Sequence, residues 1–292
     1  MTSRQLAGFT MIELVITISV LGVLAALAGV LVKPTIDGYF AAQRRAELSD
    51  IADTGLRRMA RDIRLALPNS VRTTVVGAEV YVELLLTRNG GRYRAQNDDG
   101  TAAGEDLLDF TVPDTAFDTL GPLVTAPAEQ LVAVGDYVVV HNLGIAGANA
   151  YALDNASDVT GYSTAPGGGA AANEHRISIS AKQFPLQSPG QRFFVISGPV
   201  SFRCTPGAVN SDGDGTGTLR RYSSYAIAAA HPTPPASATL IEARLANYVT
   251  LCDIQYTPLP LQARGLVSVR LGLTRANETV NLYHEAHVNN VP

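Results

Sequence analysis

Residues 14 to 32 read LVITISVLGVLAALAGVLV, a run with no charged side chain. About 20 apolar residues at ~1.5 Å each cross the hydrocarbon core of a bilayer. A helix of that length in a soluble core would carry a polar face, and here only Thr17 and Ser19 interrupt the apolar surface. The sequence therefore predicts a membrane helix over about 14–32. A secretory signal has a shorter apolar core followed by a small-residue cleavage site, whereas this run leads into Lys33 and a further helical pattern. Residues 1–8 carry Arg4 and the amine and no acid, a bias that keeps this end in the cytoplasm and exports the rest. The expectation is a single pass through the inner membrane with the bulk of the chain in the periplasm.

The helical pattern continues beyond the apolar run. Ile36, Phe40, Leu48, Ile51, Met59, Ile63 and Leu67 recur mostly at three or four residues, the spacing of one helix face. Arg44, Arg45, Arg57, Arg58, Arg61 and Arg64 fill much of the remainder, interleaved with Glu47, Asp50, Asp53 and Asp62. That mixture reads as a solvated face rather than a lipid or nucleic-acid surface. Leu67-Pro68-Asn69 stops the helix, because a residue before proline is disfavoured in the α region. From Phe9 to Leu67 such a helix would be about 88 Å long, with Pro34 and Gly38 as places for a kink.

After Pro68 the periodicity changes to two. Glu79–Thr87 alternates, and Tyr137–His141, Arg176–Ala181, Arg192–Ser197, Ser201–Cys204, Tyr248–Tyr256, Leu266–Leu273 and Thr279–Val288 read as short strands. Loops rich in Gly, Pro, Asn and Asp separate them, at 89–104, 154–173, 206–217 and 231–238. The expected fold is α+β: a long N-terminal helix, first transmembrane and then amphipathic, packed on a β-rich head of residues 68–292.

Composition narrows the function classes. Charged residues make up 16%, below the roughly 25% of soluble domains, which excludes a charge-rich disordered chain. A net charge of −4 gives no general basic surface for nucleic acid. Of 22 basic residues only Lys33 and Lys182 are lysines, a skew that reads as coding bias. Two cysteines exclude a disulfide-dense scaffold and a four-cysteine zinc site. No G-x-S-x-G, H-E-x-x-H or C-x-x-C occurs, and Gly167-Gly168-Gly169 lacks the Lys-Ser/Thr of a phosphate loop. His284 and His287 are three apart on an expected strand, so they face opposite ways and do not share a metal. The eleven tyrosines read as ordinary strand and core use. No enzyme is expected.

Glu13, at the start of the apolar run, does not suit a plain anchor. A carboxylate at membrane depth costs about 2.5–3.5 kcal/mol, less near the interface. It either reaches the headgroups or has a partner. The string Gly8-Phe9-Thr10-Met11-Ile12-Glu13, with the apolar run behind it, resembles the prepilin signature of type IV pilins and type II secretion pseudopilins. The resemblance implies a leader of residues 1–8, cut by a prepilin peptidase between Gly8 and Phe9, and N-methylation of Phe9. It also implies a pilin helix over 9–67 and Glu13 as the carboxylate that meets the new amine of a neighbouring subunit. In low dielectric that pairing is far stronger than in water. Gly22 matches a common pilin position. The proline that many major pilins carry earlier in the run is missing, the first here being Pro34.

A narrower resemblance is to the MshO-type biogenesis proteins of the mannose-sensitive haemagglutinin (MSHA) pilus. It rests on Arg61-Asp62-Ile63-Arg64 with the following residues to Arg72, on Ser201-Phe202-Arg203-Cys204, on Leu219-Arg220-Arg221-Tyr222, and on Cys252 before Tyr256. Gly265-Leu266-Val267 and the segment His284 to Pro292 complete it. J-type pseudopilins of type II secretion share the long helix and β head. The resemblance implies a minor pilin that primes or caps a filament, with a J-type pseudopilin or a tip adhesin as alternatives. The partners it implies are the prepilin peptidase, other major and minor pilins, and the inner-membrane assembly platform. Export to an oxidising compartment makes Cys204 and Cys252 a disulfide, against two buried free thiols. Asn210, Asp212 and Asp214, with Gly215, resemble the first half of a calcium loop. Arg221 stands where that loop needs an acid, so further ligands such as Asn97-Asp98-Asp99 would be required. A polar turn is the competing reading, and no other cofactor is expected.

Overall fold

A computed structural model describes residues 8–96, 105–164, 173–259 and 264–292. Residues 1–7 of the leader with Arg4, the possible further ligands Asn97-Asp98-Asp99 and the Gly167-Gly168-Gly169 run lie outside the described residues. The fold is α+β. Among the described residues one α-helix, α1 (Met11–Arg64), is followed by eleven strands: β1 (Arg72–Val76), β2 (Glu79–Arg92), β3 (Asp114–Asp118), β4 (Tyr137–Val140), β5 (Ala156–Ser163), β6 (Arg176–Lys182), β7 (Arg192–Thr205), β8 (Gly217–Ser223), β9 (Ile241–Leu259), β10 (Arg264–Arg275) and β11 (Glu278–Asn289). The chain divides into Met1–Leu48 and Ser49–Pro292.

In the first unit α1 is continuous across Pro34 and Gly38. Its apolar run is exposed, with Leu21 64%, Val30 70% and Leu31 70% accessible. Ile36 and Phe40, expected on a buried face, are half exposed.

In the second unit the last turns of α1 bury Ala52, Gly55, Leu56, Met59, Ala60 and Ile63, spaced as one helix stripe. Half of this stripe is small. A Cβ on Gly55 would lie 3.3 Å from the Leu245 carbonyl oxygen of β9, so the missing side chain lets the two backbones approach. The helix stops at Arg64, three residues before the expected Leu67. Residues 65–67 leave it to pair with β2: Leu67 N–H donates to the Leu85 carbonyl at 2.8 Å, and Thr87 N–H to that of Leu65 at 2.8 Å. Pro68 holds Leu67 extended, and that restriction spreads back as strand pairing.

The sheet runs β11-β10-β9-β8-β7-β4-β5-β6-β3, and β2 joins β7 and carries β1. All pairs are antiparallel. Its centre is buried on both faces. In β4, Val138 and Val140 enter a cluster with Phe117, Ile177, Phe193 and Val195. Val139, pointing the other way, joins Leu67, Leu85, Tyr151 and Ile196. Two-sided burial is why Tyr137-Val138-Val139-Val140 shows no apolar/polar alternation.

Several expected boundaries move. The two segments 192–197 and 201–204 are one strand, β7, because the ladder to β2 shifts between Leu85 and Thr87. That shift accommodates Gly198, at φ +120°, and Pro199, which has no amide to pair. Asn89-Gly90-Gly91, read as loop, continues β2, and β5 occupies part of the expected loop 154–173. β1 and β3 are also strands that periodicity did not mark. β10 and β11 close through Ala276 and Asn277, at φ 48° and 62°, the mirror-image turn that two-residue hairpins use.

Candidate functional site

The candidate site is the start of α1. Thr10 precedes the first helical residue, and its N–H and hydroxyl donate to Glu13 Oε2 at 3.4 and 3.3 Å. Glu13 N–H donates to Thr10 Oγ1 at 3.4 Å. This reciprocal pair is a capping box, which satisfies amides that have no partner within the helix. The Thr-x-x-Glu spacing signals this cap in the sequence. Phe9 is 78% exposed, directly before the cap. Thr17 and Ser19 return their hydroxyls to the carbonyls of Leu14 and Val15 at 2.9 and 2.8 Å, which hides both polar groups from an apolar surrounding. The 18-residue apolar window has mean hydropathy 2.7 and none of it is buried. Such a surface matches lipid or the apolar helix of another subunit.

In the head, Cys204 and Cys252 form a disulfide with Cα atoms 6.3 Å apart. It links β7 to β9, and Cys204 is fully buried. Beside it, the loop 206–216 is folded tightly on the sheet. Gly207 N–H donates to the Val249 carbonyl at 2.9 Å, Gly215 N–H to that of Thr274 at 2.9 Å, and Asn277 N–H to that of Gly213 at 2.9 Å.

The expected calcium ligands lie within this loop, and two of them, Asn210 and Asp214, accept hydrogen bonds from backbone amides. Asn210 Oδ1 accepts from Asp212 N–H at 3.0 Å and Asp214 N–H at 2.8 Å. Asp214 Oδ1 accepts from Ala276 N–H at 2.8 Å. Among the described residues no group of three His, Cys, Asp or Glu side chains is placed to hold a metal. The hydrogen bonds of Asn210 and Asp214 are those of a polar turn.

Arg221, at the position where a calcium loop needs an acid, reaches α1 instead. Its Nε–H donates to Asp62 Oδ2 at 2.6 Å. Asp62 is 3% exposed, which corrects its expected place on a solvated helix face. His284 and His287 do fall on opposite faces of β11, one partly buried and one exposed.

A second polar cluster lies between β1, β2 and the segment 225–231. Arg72 Nε–H donates to Glu83 Oε2 at 2.6 Å, Tyr225 hydroxyl donates to Glu83 Oε1 at 2.8 Å, and Arg72 lies 3.6 Å over the Tyr151 ring. Burial raises the Glu83 carboxyl, against the pull of Arg72. Burial, then the Arg72 charge, lowers His231 to about 4. His231 Nδ1 faces Thr74 Oγ1 at 2.9 Å and Nε2 faces Ser201 Oγ at 3.3 Å. Among the described residues no carboxylate orients this imidazole, and Ser201 is fully buried, so the Ser–His contact lacks the exposed nucleophile and orienting acid of a hydrolytic site. It serves to fasten the segment to the sheet.

Residues 4–29 match the family model of the prokaryotic N-terminal methylation motif. No curated protein and no solved structure matches the chain. The motif supports a pilin or pseudopilin: a structural protein of type IV pilin-like kind, anchored in a membrane by its N-terminal helix, processed by a prepilin peptidase and assembled with pilins.

Proposed function

We propose that this chain is a minor pilin of MSHA-type pili, a subunit that primes or caps the filament through α1. The observation that carries the reading is the methylation motif at residues 4–29, continuous with an apolar helix surface that is exposed among the described residues. In this reading the leader is removed between Gly8 and Phe9 and Phe9 is N-methylated. Cleavage places a new amine one residue before the Thr10–Glu13 cap. Glu13 of one subunit then neutralises the amine of the next, in surroundings of low dielectric where the attraction is least screened. The chain crosses the inner membrane once, and the disulfide-linked head stands in the periplasm, where thiols oxidise. The MshO-type motifs about Arg61–Arg72, Cys204 and Cys252 support the assignment to this pilus.

Intact-mass measurement of the membrane-extracted protein tests the reading. The expected mass lacks eight residues and carries one methyl group. Gly8→Val should block the cut, because the peptidase must admit the backbone closely at that position. A mature chain that still begins at Met1 overturns the proposal.

A further inference from the structure

Among the described residues, the ends of β2 and β7 bring two arginines together without an acid. Arg92 is directly opposite Arg192 in the antiparallel ladder, and both are exposed. Directly opposed side chains lie on one face with Cβ atoms about 5 Å apart, and like charges there repel. Among the described residues neither guanidinium has a hydrogen bond or an ion pair. Elsewhere in the sheet Arg72, Arg176 and Arg203 each reach a carboxylate. The residue before Arg192 is Gln191, held at φ 55°, a left-handed conformation that is unfavourable for a residue with a side chain. Two unfavourable features thus meet at one point of the surface, which is a common property of binding sites.

The surroundings are apolar. A groove beside the pair is lined by Gly91, Leu120, Phe193 and Phe194. Leu120 is 43% exposed. Phe194 lies two residues along β7, on the same face as Arg192, opposite Gly90. Neither strand offers a free edge here. The Arg92 carbonyl accepts from Leu120 N–H at 2.8 Å, and Phe193 pairs with Val140 of β4. A peptide cannot add as a strand, so recognition falls to the side chains.

The geometry points to a binding site for a carboxylate-bearing sugar, with Arg92 and Arg192 gripping the carboxylate and Leu120 and Phe194 receiving the ring's C–H face. Paired guanidiniums match a planar carboxylate through charge-assisted hydrogen bonds. The ligand's charge relieves the repulsion within the pair. Aromatic and aliphatic side chains beside a few polar groups are the usual lining of a small-ligand site. This site is independent of how the N-terminal helix assembles.

The test is retention of the full chain, in detergent micelles, on an array of uronate- and sialate-bearing oligosaccharides beside their neutral counterparts. Carboxylated sugars should retain it and the neutral ones should not. Arg92→Glu and Arg192→Glu should each lower retention by about tenfold or more, the value of one charge-assisted contact. Arg192→Glu places opposite charges across the ladder, so its Tm should equal or exceed that of the wild type, which separates lost binding from lost folding. If Arg192→Glu lowers Tm, Arg192→Gln decides, with retention lost at unchanged Tm. No retention on carboxylated sugars, equal retention on neutral ones, or undiminished retention of the variants overturns the proposal. None of these outcomes bears on processing at Gly8-Phe9.

Discussion

Arg221 of β8 donates its Nε–H to Asp62 of α1 across 159 positions of sequence, at 2.6 Å. The Asp62 side chain is 4% exposed and the Arg221 side chain 12%. Arg58, one turn earlier on the helix, approaches the other carboxylate oxygen at 3.6 Å. The pair joins the last turns of α1 to the middle of the sheet. In a filament subunit that junction would carry load between the helix and the head.

Asp62→Ala should destabilise the head by about 3 kcal/mol, because it leaves Arg221 nearly buried without its counter-charge. Replacing both, Asp62→Leu with Arg221→Met, should recover most of that loss, since a buried pair is often no better than apolar groups of similar volume. Denaturant midpoints of the two variants and the wild type in detergent micelles check this. A single-variant loss below about 0.5 kcal/mol would place the pair with ordinary surface bridges.

Glu13 has two roles to separate, the helix cap and the assembly charge. Glu13→Gln keeps an acceptor for the Thr10 amide and removes the charge, whereas Glu13→Ala removes both. Both variants should insert and be cut after Gly8, since losing a charge eases insertion. Both should lose crosslinks to neighbouring pilins. If only Glu13→Ala loses them, Glu13 acts as a cap, and unchanged crosslinking in both excludes the intersubunit role.

Cys204 and Cys252 are 48 positions apart. For a loop of that length the chain-entropy account gives about 4 kcal/mol, toward the upper side of measured values. Cys204→Ser with Cys252→Ser should lower the thermal midpoint accordingly. The wild type extracted from membranes should resist alkylation until it is reduced, with a mobility shift on reduction. Full alkylation without reductant would show free thiols.

His231 makes the head sensitive to acid. Its pKa near 4 lies below the usual 6.5, so the unfolded chain takes up the proton first. Its contribution is complete above about pH 6.5 and is lost as pH falls toward 4. His231→Gln keeps polar contact with Thr74 or Ser201 and does not titrate. The decline in Tm between pH 6.5 and 4 should be shallower in this variant than in the wild type. Parallel declines would mean that the imidazole keeps an ordinary affinity for protons.

The sequence by itself determined the α+β order of the chain, the apolar helix and the methylation motif, because these are local. An apolar run, a Gly-Phe junction and a Thr-x-x-Glu cap depend on neighbours within one or two helical turns. Strands with one wet face were legible for the same reason. Tertiary structure decided what depends on a distant partner. Asp62 read as a solvated charge, and Asn210, Asp212 and Asp214 read either as a polar turn or as ligands; the Asp214 carboxylate accepts from the distant Ala276 N–H of the β10–β11 hairpin. Arg92 and Arg192 are a hundred positions apart, and only the β2–β7 register makes them neighbours. Burial of a charge and repulsion between like charges are set by what the fold brings within a few ångströms, which no spacing along the chain encodes.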